Sequence, residues 1–358
     1  MKKIGLLIGI VIMLMGAGGC NEVKQWQTYK GKGGPGAGKH IVLVSGDEEY
    51  RSEEALPQLG KMLSQQYGFT CTVLFAQSPE APGLVDPNYL NNIPGLETLE
   101  EADLMIISTR FRDLPDEQMQ LLENYLLAGK PVIGLRTATH GFRTKEDSKW
   151  AHWSFNYKGE KTEWHGGFGE FILGTTWVSH HGWHKKESQR GIVVEGNELV
   201  RGIGEGEIWS SSDVYGVKFR PNADIEPVVM GQVLAGMNHD DPPIGKGPYE
   251  KVPKYGKDDP NFDKNDPMMP IAWTKSYQLE GGDKGKVFMA TIGASVDFLE
   301  SGVRTLLGNA VYWSLGMEVP KSGVKLEVVG DYQPTMYNFY KEDGYYQKKN
   351  IQVSDHDL

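Results

Sequence analysis

Cysteine is nearly missing from this chain: Cys20 and Cys71 are the two in 358 residues. If Cys20 is lipidated, as the leader described below suggests, only Cys71 remains as a thiol in the mature domain and no intramolecular disulfide can form. Cys71 sits in the apolar run Cys-Thr-Val-Leu-Phe and reads as a buried strand residue rather than a nucleophile. Positive charge is also short. Lys+Arg 37 against Asp+Glu 47 leaves a formal net charge of −10, which does not indicate a basic surface for nucleic acid. No Gly-x-Ser-x-Gly elbow is present, which disfavours nucleophilic catalysis by serine. No Gly-x-Gly-x-x-Gly or Walker sequence follows a strand, so no nucleotide cofactor is expected.

Long apolar runs are scarce too. The stretch Ile4 to Met15 is too short to span a bilayer comfortably, and it follows the basic Lys2 and Lys3. With the small residues Gly16 to Gly19 after it, this reads as a signal peptide over residues 1–20. Ala17-Gly18-Gly19-Cys20 resembles a bacterial lipobox, in which Cys20 becomes the lipidated first residue of the mature protein. Leu is absent from the third position before Cys20, so ordinary cleavage after a small residue is the alternative. The expectation is an exported protein of the cell envelope, held at the periplasmic or extracellular face of a membrane through a lipid on Cys20.

What is present is alternation. Residues 21–39 are polar and then Gly-rich, as in a flexible linker. From His40 the runs His40 to Ser45, Phe69 to Phe75, Ala102 to Ser108 and Pro131 to Leu135 are short and continuously apolar, the pattern of strands buried on both faces. Helices are predicted from Ser52, with Leu56, Leu59 and Leu63 at helical spacing, and over residues 115–128, with Gly129 as the stop. This order predicts an α/β fold, a doubly wound and mostly parallel sheet in a single domain over residues 40–320 with long loop insertions. Ligands then bind beyond the carboxyl ends of the strands, here residues 46–51, 109–112 and 136–140. Further strands are expected at 191–194, 227–234, 270–273 and 286–292, and a closing helix at 303–315. Residues 238–269 read as a surface insertion and 321–358 as a C-terminal extension rich in tyrosine, whose packing the periodicity leaves open.

Chemistry concentrates between His140 and His184. Six of the nine histidines and five of the nine tryptophans fall there. His140, at a strand-to-loop turn, is a candidate base, acid or ligand, or it bonds to its own loop. His180 and His181, with Gly182 to bend the backbone, are candidate ligands of a divalent metal such as Zn or Mn, and hydroxyl recognition would leave the same sequence. Asp47 and Glu48, with Glu49, are candidate acid/base carboxylates, although acids before a helix also suit its dipole. Asp213 is a turn residue that can reach the same crevice. Arg136 and Arg110 are candidates to hold substrate oxygens, or they pair with those acids. Tyr50, Trp183 and Tyr215 supply ring faces and polar edges for a small carbohydrate ligand.

These segments resemble a known family. Val44-Ser-Gly-Asp-Glu-Glu-Tyr-Arg-Ser-Glu-Glu-Ala-Leu-Pro57, Asn92-Ile-Pro-Gly-Leu-Glu97, Phe111-Arg-Asp-Leu-Pro-Asp-Glu-Gln118 and Gly134-Leu-Arg-Thr-Ala-Thr-His-Gly-Phe142 look like the ThuA-like (trehalose utilisation) family. His180-His181-Gly182, Asp213-Val-Tyr215, Ala272-Trp273 and Gly285-Lys-Val-Phe288 extend the likeness across residues 40 to 320. The resemblance implies a flavodoxin-like sheet similar to class I glutamine amidotransferases, without their cysteine nucleophile, and a role in sugar or keto-sugar metabolism. Gly293-Ala294-Ser295 stands where many relatives have Gly-His-Ser, so one histidine is missing there. The expectation is a carbohydrate-active hydrolase, lyase or isomerase acting on a saccharide or 3-keto sugar, and the alternative a non-catalytic carbohydrate-binding lipoprotein. No oligomeric state follows from the sequence.

Overall fold

In the computed structural model, residues 23–358 are described; the expected signal peptide and the lipidation site Cys20 lie outside them. In chain order the first half holds β1 (Trp26–Tyr29), β2 (His40–Gly46), α1 (Ser52–Tyr67), β3 (Thr70–Phe75), β4 (Leu104–Thr109), α2 (Asp116–Leu127) and β5 (Val132–Leu135). The second half holds β6 (Ser179–His180), β7 (Gln189–Val193), β8 (Trp209–Ser210), β9 (Tyr215–Gly216), β10 (Glu226–Val233), β11 (Met269–Gln278), β12 (Lys284–Ala290), α3 (Ser301–Ser314) and α4 (Tyr345–Lys349).

Ten strands form one sheet in the order β1-β3-β2-β4-β5-β12-β11-β10-β7-β8. β3, β2, β4, β5 and β12 run parallel. The remaining neighbours are antiparallel, so the sheet is mixed and not mostly parallel as the first half of the chain suggested. A parallel pair needs a crossover of a dozen residues or more, and residues 279–283 between β11 and β12 are too few, which forces a hairpin. Along β2 the side chains alternate between two cores: Ile41 and Leu43 join Leu56, Leu59, Leu306 and Val311 of α1 and α3. Val42 and Val44 join Met119 and Leu122 of α2 with Trp153 and Phe168. Both faces of the sheet are thereby covered.

Two expectations change, and one open point is answered. Within the expected linker, Trp26–Tyr29 pairs with Cys71 to Leu74 as an edge strand. The glycines after it serve close packing: a Cβ on Gly31 would lie 2.1 Å from the Gly68 carbonyl oxygen. Residues 238–269 are not only surface, because Lys264 within them is 0% exposed. The C-terminal extension packs back on the domain, with Tyr337 and Tyr346 buried. Cys71 is a buried free thiol in β3, as its run implied. Among the described residues no helix is long and apolar enough to cross a membrane.

Candidate functional site

The loops after β2, β4 and β5 meet at one end of the parallel strands, as expected. Gly46 accepts a hydrogen bond from the Arg110 amide at 2.8 Å, and the His140 carbonyl accepts one from Phe111 at 3.0 Å. Each loop contains a non-glycine residue in the left-handed region: Arg51 (φ 63°), Phe111 (φ 51°) and Arg136 (φ 41°). Such backbone costs on the order of 1–3 kcal/mol and persists where surroundings impose it, which is common at functional sites.

Across from these loops lies a second group. β6 and β9 form a short antiparallel ribbon pairing His180 with Tyr215, which brings Asp213 beneath the histidine segment. The His180 Nδ1 stands 2.7 Å from Asp213 Oδ2, and the His184 Nδ1 stands 2.9 Å from Asp213 Oδ1. Arg136 approaches the same Oδ1 at 3.3 Å and donates to the Asp213 and Thr291 carbonyls at 2.9 and 2.6 Å. Burial alone would raise the Asp213 carboxyl, but hydrogen bonds from His180 and His184, with the Arg136 charge, hold it well below the usual carboxylate range. An ionised carboxylate only accepts, so both Nδ1 atoms carry the proton and both Nε2 atoms are left to act on something else.

Glu49 is the facing acid. Its Oε1 lies 3.8 Å from His184 Nε2. Burial, then the nearby Asp47, push its carboxyl up to about 7 against the pull of Arg110, Arg136 and His184. It therefore exchanges its proton near neutrality, the range an acid/base catalyst needs.

The site residues expected from sequence divide by place. His140 is buried, with its ring 5.0 Å from Phe111 and 6.0 Å from Trp177, and its Nδ1 3.1 Å from Thr139 Oγ1. Burial and the charges of Arg110 and Arg136 keep it well below the usual histidine range, and so neutral. Trp177 and Tyr215 stand between His140 and His180, with ring centres 5.5 and 6.1 Å from His180. Asp47, expected as a catalytic carboxylate, is instead a loop former: it accepts the Glu49 and Tyr50 amides at 2.8 and 3.1 Å and the Thr137 hydroxyl. Glu48 is clamped by Arg110 and, at 2.9 Å, by Arg112. Arg136 and Tyr50, expected at the substrate, are buried behind Asp213, with Tyr50 and Tyr215 rings 4.4 and 3.7 Å from the guanidinium. They position the carboxylate.

His181 does not join His180. Its Nδ1 is 2.6 Å from the Tyr255 hydroxyl and its Nε2 is 2.6 Å from the Lys264 carbonyl. His184 takes the place expected for it: His180, His184 and Asp213 offer ligand atoms within 4.8 Å of one another. Trp183 is half-buried, and its amide donates to Glu187 at 2.7 Å; Trp177 is the indole beside the imidazoles. Glu49 and His184 thus stand in the cluster to which the sequence pointed through Asp47, Glu48 and His181. The run Asp47-Glu48-Glu49 and the spacing His180-x-x-x-His184 carried the signal, but nothing in either says which member faces inward.

The fold is similar to solved structures of two proteins with provisional family assignments. One, from Bacteroides uniformis, is 16% identical with a TM-score of 0.43, over 81% of this chain and 95% of that one. The other, from Parabacteroides merdae, is 12% identical with a TM-score of 0.45, over 83% and 99%. Both are described as ThuA-like. The mmIFT52 N-terminal domain is similar at 11% identity and a TM-score of 0.40, over 79% and 100%. No protein-family model and no curated protein matches the chain. The chemistry of the site therefore rests on its own side chains.

Proposed function

We propose that the protein is an enzyme that moves protons on a saccharide or 3-keto sugar, with His180 and His184 as bases and Glu49 as the acid. The observation that carries this is one buried carboxylate, Asp213, bonded to the Nδ1 atoms of two imidazoles 4.9 Å apart, with Glu49 opposite His184. An Nε2 lone pair takes a proton from a carbon beside the keto group or from water, and Glu49 returns one to a substrate oxygen. Trp177 and His180 are among the residues lining a cavity of about 320 Å³, within the size range of small-ligand sites, which adjoins Asp213, His184 and Glu49 through His180. The indole face suits the apolar side of a sugar ring.

A divalent Zn or Mn ion is a second reading, favoured by the nitrogen and oxygen donors of His180, His184 and Asp213. The fit is partial. The Nδ1 atoms already face Asp213, and Arg136 places a positive charge 3.3 Å from its Oδ1.

The test is turnover of trehalose and 3-keto-glycosides by purified protein, with metal content measured before and after chelation. His184→Ala and Asp213→Asn should each lower kcat about 100-fold or more with the circular dichroism unchanged. Turnover that survives both variants sinks the proposal. Turnover abolished by chelation and restored by Zn²⁺ or Mn²⁺ selects the metal reading, and saccharide binding without turnover selects a carbohydrate-binding protein.

A further inference from the structure

The cavity at His180 is unusual in charge. Its walls include Trp177, His180, Lys251, Lys254 and Lys257, and no aspartate or glutamate. A larger cavity of about 680 Å³ under the C-terminal segment is lined by Glu48, Asp86, Asp113, Glu342 and Asp343 among others. The cavities at Glu54 and Glu198 also have acids in their walls, and the one beside Lys24 has none but a single lysine, so three lysines without an acid set the His180 cavity apart. The three lysines also lack partners: among the described residues the lysine ion pairs are made by Lys24, Lys39, Lys149 and Lys264.

Their segment is anchored to the site. Tyr255, between Lys254 and Lys257, bonds His181 at 2.6 Å, and the two rings stack with centres 6.0 Å apart and planes 13° apart. His181 adjoins His180 in the chain, so this anchor holds the lysine-bearing segment against the cavity whose walls include His180 and the three lysines. Three unpaired cations at one mouth raise the local concentration of anions, an effect that salt screens.

We propose that the substrate is an anionic saccharide, whose carboxylate, sulfate or phosphate group is received by Lys251, Lys254 and Lys257 while its ring lies against Trp177. This rests on the acid/base reading of the same site and adds the charge of the substrate. The experiment is titration calorimetry of the full chain at low ionic strength with glucose, glucuronate, glucose 6-sulfate, glucose 6-phosphate and inorganic phosphate. At least one anionic sugar should bind about tenfold tighter than glucose. The preference should vanish in K251Q/K254Q/K257Q and shrink as salt is raised.

Equal binding of glucose and the anionic sugars overturns the inference, as does a preference that survives the triple variant. Inorganic phosphate binding as tightly as the best anionic sugar overturns the saccharide part. Turnover of neutral sugars, unchanged in the triple variant, sinks the anionic substrate and leaves the acid/base reading standing. Lysine-dependent binding of an anionic sugar with no turnover sinks the acid/base reading and the word substrate, and leaves the three lysines as a binding site for anionic saccharides.

Discussion

His180 ends a short strand, and in extended backbone the next side chain points to the opposite face, which sends His181 toward Tyr255 and Lys264 while His180 keeps Asp213. The turn at Gly182 then returns His184 to the side of His180. Glu49 owes its behaviour to a similar choice of side. Both acids are buried, but Glu48 is held by Arg110 and Arg112 together, whereas Glu49 has Arg110 at 3.5 Å with Asp47 close by and is pushed up to about 7. A carboxyl raised on folding binds its proton more tightly in the fold, so its contribution to stability is complete below the ordinary value near 4.5 and is lost as pH rises through about 7. Glu53 is shifted the same way by burial, so the informative quantity is a difference. Relative to Glu49→Gln, the wild-type protein should lose on the order of 3 kcal/mol between pH 4.5 and 7.5. Parallel Tm profiles of the two proteins across that window would refute the assignment.

At the scale of elements, β2 to β5 and their helices were readable because each strand is a continuous apolar run and the helical spacing is clear, with Gly129 as the stop after α2. β1 was not, since Trp-Gln-Thr-Tyr alternates in a polar stretch and its pairing with β3 is a tertiary fact. The site was readable as three loops and a histidine segment. Which imidazole meets which acid was not, because that depends on pairing between β6 and β9, more than thirty residues apart. Nor does composition reveal that residues 238–269 are strapped to the site. Lys264, 0% exposed, reaches Glu187 at 2.7 and 2.8 Å, and Glu187 also accepts the Trp183 amide. Removing one partner strands a buried charge at a cost of about 3–5 kcal/mol. Lys264→Met should therefore destabilise the protein by that amount in urea, and Lys264→Met with Glu187→Leu should recover part of it. A single variant within about 1 kcal/mol of wild type would show that the strap does not hold the loop.

For the molecule as a whole, the C-terminal extension backs the histidine cluster, with the Tyr337 ring 5.6 Å from that of His184. Tyr337 is 0% exposed; it stacks on Tyr50 with ring centres 4.9 Å apart and donates to the Ser211 carbonyl at 2.8 Å. Tyr50 accepts from Arg136, which in turn meets Asp213, so the extension supports the carboxylate through a chain of buried groups. It also ties two loops together: the Asn338 amide donates to the Glu49 carbonyl at 3.0 Å, and Lys185 donates to the Asn338 side chain at 2.8 Å. Truncating a buried aromatic ring typically costs about 3–5 kcal/mol, because the cavity left behind relaxes only in part. Tyr337→Ala should show that loss in urea denaturation, and the imidazole ¹⁵N resonances of His180 and His184 should shift as Arg136 loses its backing. Tyr337→Phe, which keeps the stacked ring and leaves one carbonyl unbonded, should cost about 1–3 kcal/mol and leave those resonances near their wild-type positions. Unchanged stability and resonances in Tyr337→Ala would mean that the extension only covers the domain and contributes nothing to the placement of Asp213.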